Sequence, residues 1–140
     1  GESWTALSNY ITTNNLSSVC FSDVNTGFAV GNSGTILKTT NDGLIWTALT
    51  SGTPERLKSV FFITANTGYA VGEYGTILKT ITAGASWESQ FTGTVVHLAS
   101  VHFPDESTGY AVGDGGGILK TTDGGATWNE QSSGTWTIFS

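Results

Sequence analysis

The chain contains Thr121-Thr122-Asp123-Gly124-Gly125-Ala126-Thr127-Trp128, and it contains that unit more than once. Thr39-Thr40-Asn41-Asp42-Gly43-Leu44-Ile45-Trp46 is a second version, and Thr80-Ile81-Thr82-Ala83-Gly84-Ala85-Ser86-Trp87 a third. Gly1-Glu2-Ser3-Trp4 has the ending of a fourth. Trp46, Trp87 and Trp128 stand 41 residues apart, and so do Gly27, Gly68 and Gly109. Ile36-Leu37-Lys38-Thr39 recurs unchanged as Ile77-Leu78-Lys79-Thr80 and Ile118-Leu119-Lys120-Thr121. A fixed period of this length marks a repeat architecture, in which each unit buries its apolar faces against its neighbours.

Each unit reads as four short strands. Leu57 to Phe62 is an apolar, β-branched and aromatic run, with counterparts at Leu16 to Phe21 and Leu98 to Phe103. Gly68 to Gly72 is a second strand, Thr76 to Thr80 a third, and Trp87 to Gln90 a fourth. No 3.6-residue apolar stripe is long enough for a helix. The expected fold is all-β: β-propeller blades of four antiparallel strands, three complete and preceded by one leading outer strand. The expected organisation is a single repeat domain over 1–140. Blades lie at about 16–50, 57–91 and 98–133, the leading strand at 3–8, and the start of a further blade at 134–140. The alternative is a β-trefoil, which also has three repeats of four strands.

The eight-residue unit is identified as an Asp-box, or bacterial neuraminidase repeat. Thr121 to Trp128 matches it throughout, whereas Asn41 or Thr82 replaces the aspartate in the other copies. The longer pattern, Val-x-Phe, Thr-Gly-Tyr-Ala-Val-Gly, Gly-x-Ile-Leu-Lys-Thr and Gly-x-x-Trp, resembles the photosystem II stability and assembly factor family and its secreted bacterial relatives. That resemblance implies protein partners. Arg56 is the only arginine, so the basic surface expected of photosynthetic members is missing, and a secreted relative in the cell envelope or exterior is expected. A neuraminidase would hold its substrate carboxylate with three arginines, which this chain lacks. The chain is therefore expected not to be an enzyme.

Composition narrows the partners. Five Lys+Arg against eleven Asp+Glu leave a formal charge of -6, a poor basis for binding nucleic acid. No apolar run approaches the ~20 residues of a membrane span. His97 and His102 are five apart, which sends them to opposite faces of a strand. His102 takes the slot of Phe61 and is expected to pack in or near the core. No metal site and no cofactor are expected.

Candidate binding residues come from positions where the copies differ within similar surroundings. The loop entering a blade and the loop joining its second and third strands are expected on one rim. That rim gathers Tyr10, Arg56, Glu73, Tyr74, His97, Asp114 and Trp136. Aromatics beside a few polar groups suit recognition of a protein partner or, alternatively, a glycan. A lectin is thus the second functional reading, and a fragment of a sialidase-like glycoside hydrolase the third. Asn41, Gly43, Trp46, Gly84, Trp87, Asp123, Gly125 and Trp128 are read as structural parts of the repeated turn. Lys38, Lys79 and Lys120 are read as an exposed strand face. Three blades fall short of the ~4–8 that close a ring. Copies are therefore expected to associate, unless the chain is a piece of a longer one.

Overall fold

A computed structural model describes residues 11–132. The expected leading strand at 3–8 and the segment at 134–140 lie outside them, as do Tyr10 and Trp136. The described residues form three four-stranded antiparallel sheets, each a meander. The first comprises β1 (Leu16–Phe21), β2 (Gly27–Gly31), β3 (Ile36–Thr39) and β4 (Trp46–Leu49). The second comprises β5 (Leu57–Phe62), β6 (Gly68–Gly72), β7 (Ile77–Thr80) and β8 (Glu88–Ser89). The third comprises β9 (Leu98–His102), β10 (Gly109–Gly113), β11 (Ile118–Thr121) and β12 (Asn129–Gln131). Within each sheet, every strand pairs with its neighbour in sequence, and no pairing joins one sheet to the next. A trefoil instead pools strands from different repeats into one barrel, so that alternative is set aside. The first strands, β1, β5 and β9, pack on one another from sheet to sheet.

Two apolar layers separate the three blades. The first holds Phe28, Val30 and Ile36 of one blade against Leu57, Phe62, Leu78 and Trp87 of the next. The second repeats this with Tyr69, Val71 and Ile77 against Leu98, Phe103, Leu119 and Trp128. At the centre of each layer two rings lie nearly parallel. Phe28 stacks on Phe62 at 4.0 Å and 13°, and Tyr69 on Phe103 at 3.9 Å and 11°. The tryptophan then meets the same phenylalanine edge-on, Trp87 against Phe62 and Trp128 against Phe103. Stacked and edge-on pairs each add ~0.5–1.5 kcal/mol beyond the area they bury.

The lysine of the third strand is not the exposed face expected of it. Lys38 Nζ donates to the Ala83 carbonyl at 2.8 Å, and Lys79 Nζ to the Gly124 carbonyl at 2.7 Å. Each ammonium also lies over an aromatic of its own blade, Phe28 at 5.5 Å and Tyr69 at 5.6 Å. The Tyr69 hydroxyl donates to the same Gly124 carbonyl at 2.8 Å. Burial, and then the charge of Glu106, push its pKa up to about 12. The stems lie along apolar surface while the heads reach a backbone acceptor on the next blade. The first strands are joined as well: the Ser18 hydroxyl accepts from Val60 N–H, and Ser59 from Val101 N–H.

The turn between the last two strands organises itself around a buried threonine. Thr121 Oγ1 accepts the N–H groups of Asp123 and Gly125 and donates to Asp123 Oδ1 at 2.8 Å. Asp123 Oδ1 then accepts from Thr127 N–H at 2.9 Å. Asn41 Oδ1 and Thr82 Oγ1 accept from Ile45 and Ser86 N–H in the same way. One side-chain oxygen at that height is what the turn requires, so Asp, Asn and Thr all serve. Asp42-Gly43, Ala83-Gly84 and Gly124-Gly125 all take left-handed backbone, which glycine adopts without penalty. The turn is tied to the one between the first two strands, with Gly124 N–H donating to the Ser107 carbonyl at 2.8 Å.

Two predictions follow from the packing and the turn. Trp87 is 9% exposed, whereas Trp46 at the open face of the first blade is only half-buried. Trp87→Ala should cost ~3–5 kcal/mol in urea denaturation and Trp46→Ala distinctly less. The Trp87 indole N–H has no acceptor among the described residues. Trp87→Phe should accordingly lose packing alone and fall between wild type and Trp87→Ala. Asp123 supplies the pH test. The Thr127 hydroxyl, then its N–H and the Thr121 hydroxyl, hold the Asp123 carboxyl down to about 2 from 3.8. A depressed carboxyl stabilises the fold above its ordinary value and loses that contribution as pH falls through its folded one. In thermal melts, the difference in Tm between wild type and Asp123→Asn should shrink as pH drops from about 4 to about 2. A constant difference would refute the assignment.

Candidate functional site

The other rim is built by the link between the second and third strands. Asn32, Glu73 and Asp114 open that link, and each N–H donates to a carbonyl of the loop entering the blade. The partners are Asn15 at 2.9 Å, Arg56 at 3.0 Å and His97 at 2.9 Å. Gly72 makes the approach possible in the middle blade, because a Cβ there would run into the Arg56 carbonyl. The same close approach holds at Gly31 and Gly113. The backbone thus brings Arg56 to Glu73, and His97 to Asp114, in one repeated frame.

The next residue of the link is left-handed in every copy: Ser33 at φ 57°, Tyr74 at φ 57° and Gly115 at φ 66°. Only the middle copy places a large aromatic there, at a cost of ~1–2 kcal/mol in backbone strain. Tyr74 N–H donates to His97 Nδ1 at 3.0 Å, and the Tyr74 ring meets the imidazole edge-on at 4.7 Å.

Tyr74 overhangs an open cleft of about 800 Å³ between the second and third blades, lined also by Gln90, Phe91, Thr92, Val95 and Glu130. Tyr74 is 58% exposed, Val95 65% and Phe91 86%. The cleft recurs one repeat earlier at about 630 Å³, where Ser33, Thr50 and Pro54 occupy the corresponding positions. The frame is therefore common to both, and the aromatic lining is particular to one. Beyond His97 a smaller recess of about 210 Å³ reaches Asp114 and Gly115. Sequence reading missed Phe91, Gln90 and Glu130. Phe91 lies after a fourth strand, where the copies diverge, and only its exposed placement beside Tyr74 marks it.

The remaining expectations are placed as follows. His102 is exposed beside Phe61, with rings 4.8 Å apart, and not in the core. Side chains alternate along β9, so Val101 and Phe103 point inward and His102 outward. Asp23, Asp105 and Asp123 are the carboxylates with displaced titration, and all three cap turns on the far rim. Backbone N–H groups hold Asp23 and Asp105 below the ordinary carboxylate range, Asn25 leading for the first and Thr108 for the second. Among the described residues no group of His, Cys, Asp or Glu is arranged to hold a metal. Among the described residues no helix is long and apolar enough to cross a membrane.

Residues 1–91 match the family described as photosynthesis system II assembly factor YCF48. The chain belongs to that family. A solved YCF48 bound to D1 peptide is 26% identical with a TM-score of 0.78, over 87% of this chain and 42% of that one. YCF48 from Cyanidioschyzon merolae is 21% identical with a TM-score of 0.77, over 87% of this chain and 41% of that one. An ancestral GH74 enzyme shares the fold at 22% identity and a TM-score of 0.76, over 94% of this chain and 20% of that one. The chain spans about two fifths of the YCF48 structures it matches. Nothing matches among the curated proteins. The extracellular or envelope placement expected from sequence is corrected by the family: a photosystem II assembly factor is not an extracellular protein. The expectation had rested on the single arginine, and surface charge does not report compartment.

The strain at Tyr74 gives a direct test of whether that residue serves the fold. Tyr74→Gly relieves the left-handed strain but loses the His97 contact and gains chain entropy on unfolding, terms of ~1 kcal/mol each that nearly cancel. Its Tm should stay within about two degrees of wild type. A large loss would make Tyr74 a structural residue.

Proposed function

We propose that the chain is a non-enzymatic recognition module of an assembly-factor propeller, and that it holds an extended protein segment in the cleft beneath Tyr74. The observation that carries this reading is the pairing of Tyr74 and Phe91, exposed aromatics that the repeat frame does not need and that have no counterpart among the described residues of the neighbouring cleft. Support comes from the family and from the related YCF48 solved with a D1 peptide. An apolar side chain of the segment would lie between the two rings. Thr92 and Gln90 would offer polar partners for its backbone. Association of copies belongs to the same proposal, supported by the exposed Val19, Phe21, Tyr110 and Val112 on the outer sheets.

Fluorescence anisotropy with a labelled D1 peptide tests the cleft. Wild type should bind, and Tyr74→Gly and Phe91→Ala should each weaken binding by roughly tenfold or more, in line with loss of an aromatic anchor. Ile81→Ala, an exposed residue on the opposite rim, should leave it unchanged. Equal loss in all three, or in none, would overturn the reading. Glycan binding lost in the same two variants would assign the cleft to a lectin, and turnover of a fluorogenic glycoside would overturn the non-enzymatic assignment.

A further inference from the structure

The two open clefts share a frame and differ in charge as well as in aromatics. Among the described residues, nothing that lines the earlier cleft is charged. The lining of the cleft beneath Tyr74 holds one charged residue, Glu130 on β12. One repeat earlier the same position is Ser89. The cleft lies between the second and third blades, so neither of its walls is an outer sheet.

The ladder explains why this carboxylate faces the cleft. Glu130 stands directly across from Leu119, and cross-strand partners share a face of the sheet. Leu119 belongs to the apolar layer between the second and third blades, so Glu130 projects toward the second blade and remains exposed. The two lysines closest to it in the fold are engaged elsewhere. Lys79 Nζ donates to the Gly124 carbonyl on the far rim. Lys120 pairs with Asn129, which puts it on the opposite face of the same sheet, over the Tyr110 ring. The rim above the cleft adds acid rather than base. Glu73 precedes Tyr74, and Asp114 lines the recess beyond His97, with Arg56 the one fixed cation among the rim residues.

Resting on the proposed binding of an extended segment, we infer that this segment carries a lysine or arginine beside its apolar anchor, and that Glu130 selects it. The head of the basic side chain donates to the Glu130 carboxylate. Its methylene stem lies along the apolar part of the lining, which a long cationic side chain can cover while its charge stays wet. Acidic segments are opposed by Glu130, Glu73 and Asp114 together, because like charges brought close across an interface are costly. The division of roles follows from exposure. Tyr74 and Phe91 supply the anchor, whereas an exposed ion pair adds little affinity and acts chiefly by discriminating among segments that the rings would otherwise hold alike.

A position-scanning library of octapeptides, with leucine fixed at one position and its neighbours varied, tests the inference when probed with the 140-residue chain. Wild type should enrich lysine and arginine over aspartate and glutamate at a position near the leucine. Glu130→Gln should cut the preference for the best basic peptide over its norleucine counterpart by roughly two- to fivefold, the size of an exposed ion pair, and keep the preference for leucine. Glu130→Lys should turn the enrichment toward aspartate and glutamate. Glu106→Gln removes the same single charge from an exposed place on the far rim and should change nothing. Thermal melts check the fold of each variant. Wild type that takes acidic and basic neighbours equally, while Phe91→Ala abolishes the leucine preference, would overturn this inference and leave the cleft standing. Basic enrichment that survives both Glu130 variants would assign it to the overall charge of -6 and overturn the role of Glu130. Binding of no peptide, or binding indifferent to Tyr74→Gly and Phe91→Ala, would overturn the cleft and this inference with it.

Discussion

The structure depends on two flat ring stacks, Phe28 on Phe62 and Tyr69 on Phe103. Each joins the second strand of one blade to the first strand of the next. A single four-stranded sheet of this size has too little apolar surface to stand alone, so its stability resides in the contact between sheets. The tryptophan turn closes around that contact. It places Trp87 or Trp128 edge-on to the stacked phenylalanine and turns a backbone carbonyl toward the lysine of the preceding blade. Packing and polar latch therefore meet in one short segment, which accounts for its recurrence at a fixed 41-residue interval.

The two rims divide the work. On one, the tryptophan turn and the turn between the first two strands satisfy each other's backbone groups, and Asp23, Asp105 and Asp123 are committed to N–H donors. On the other, backbone hydrogen bonds from Glu73 to Arg56 and from Asp114 to His97 fasten the links after the second strand to the incoming loops, and the Asn14 and His97 side chains add one bond each. The side chains there differ from copy to copy while the backbone frame stays the same. Tyr74 is the clearest case: a bulky residue in left-handed backbone where Ser33 and Gly115 stand in the other blades.

The period, the four strands in each unit and the role of the tryptophans as inter-blade packing were legible in the sequence, because repetition removes the usual ambiguity of short apolar runs. Leu57 to Phe62 and Gly68 to Gly72 read as strands and are strands with those limits. Meander connectivity is what led the sequence reading to group Arg56, Glu73, Tyr74, His97 and Asp114 on one rim; the structure joins Glu73 to Arg56 and Asp114 to His97 by backbone hydrogen bonds. Lys38, Lys79 and His102 were misread. A lysine on an alternating strand gives no sign that its ammonium meets a carbonyl forty-five residues onward. A histidine in a phenylalanine's slot gives no sign that it is exposed where Phe61 and Cys20 are half-buried.

The sequence by itself determined an all-β repeat of propeller blades, because period-2 patterning, turn glycines and a 41-residue recurrence are local properties of the chain. The structure showed that Asn41 and Thr82 stand for Asp123, since each offers a side-chain oxygen to the same turn N–H. Tertiary structure alone decided which aromatics are buried and which bare, for Val19 and Val60 are the same residue in the same motif and differ only in having a neighbouring sheet. It alone brought Phe91 beside Tyr74 and Lys79 to Gly124, because those meetings depend on the distance between sheets, a quantity no run of residues along one strand contains.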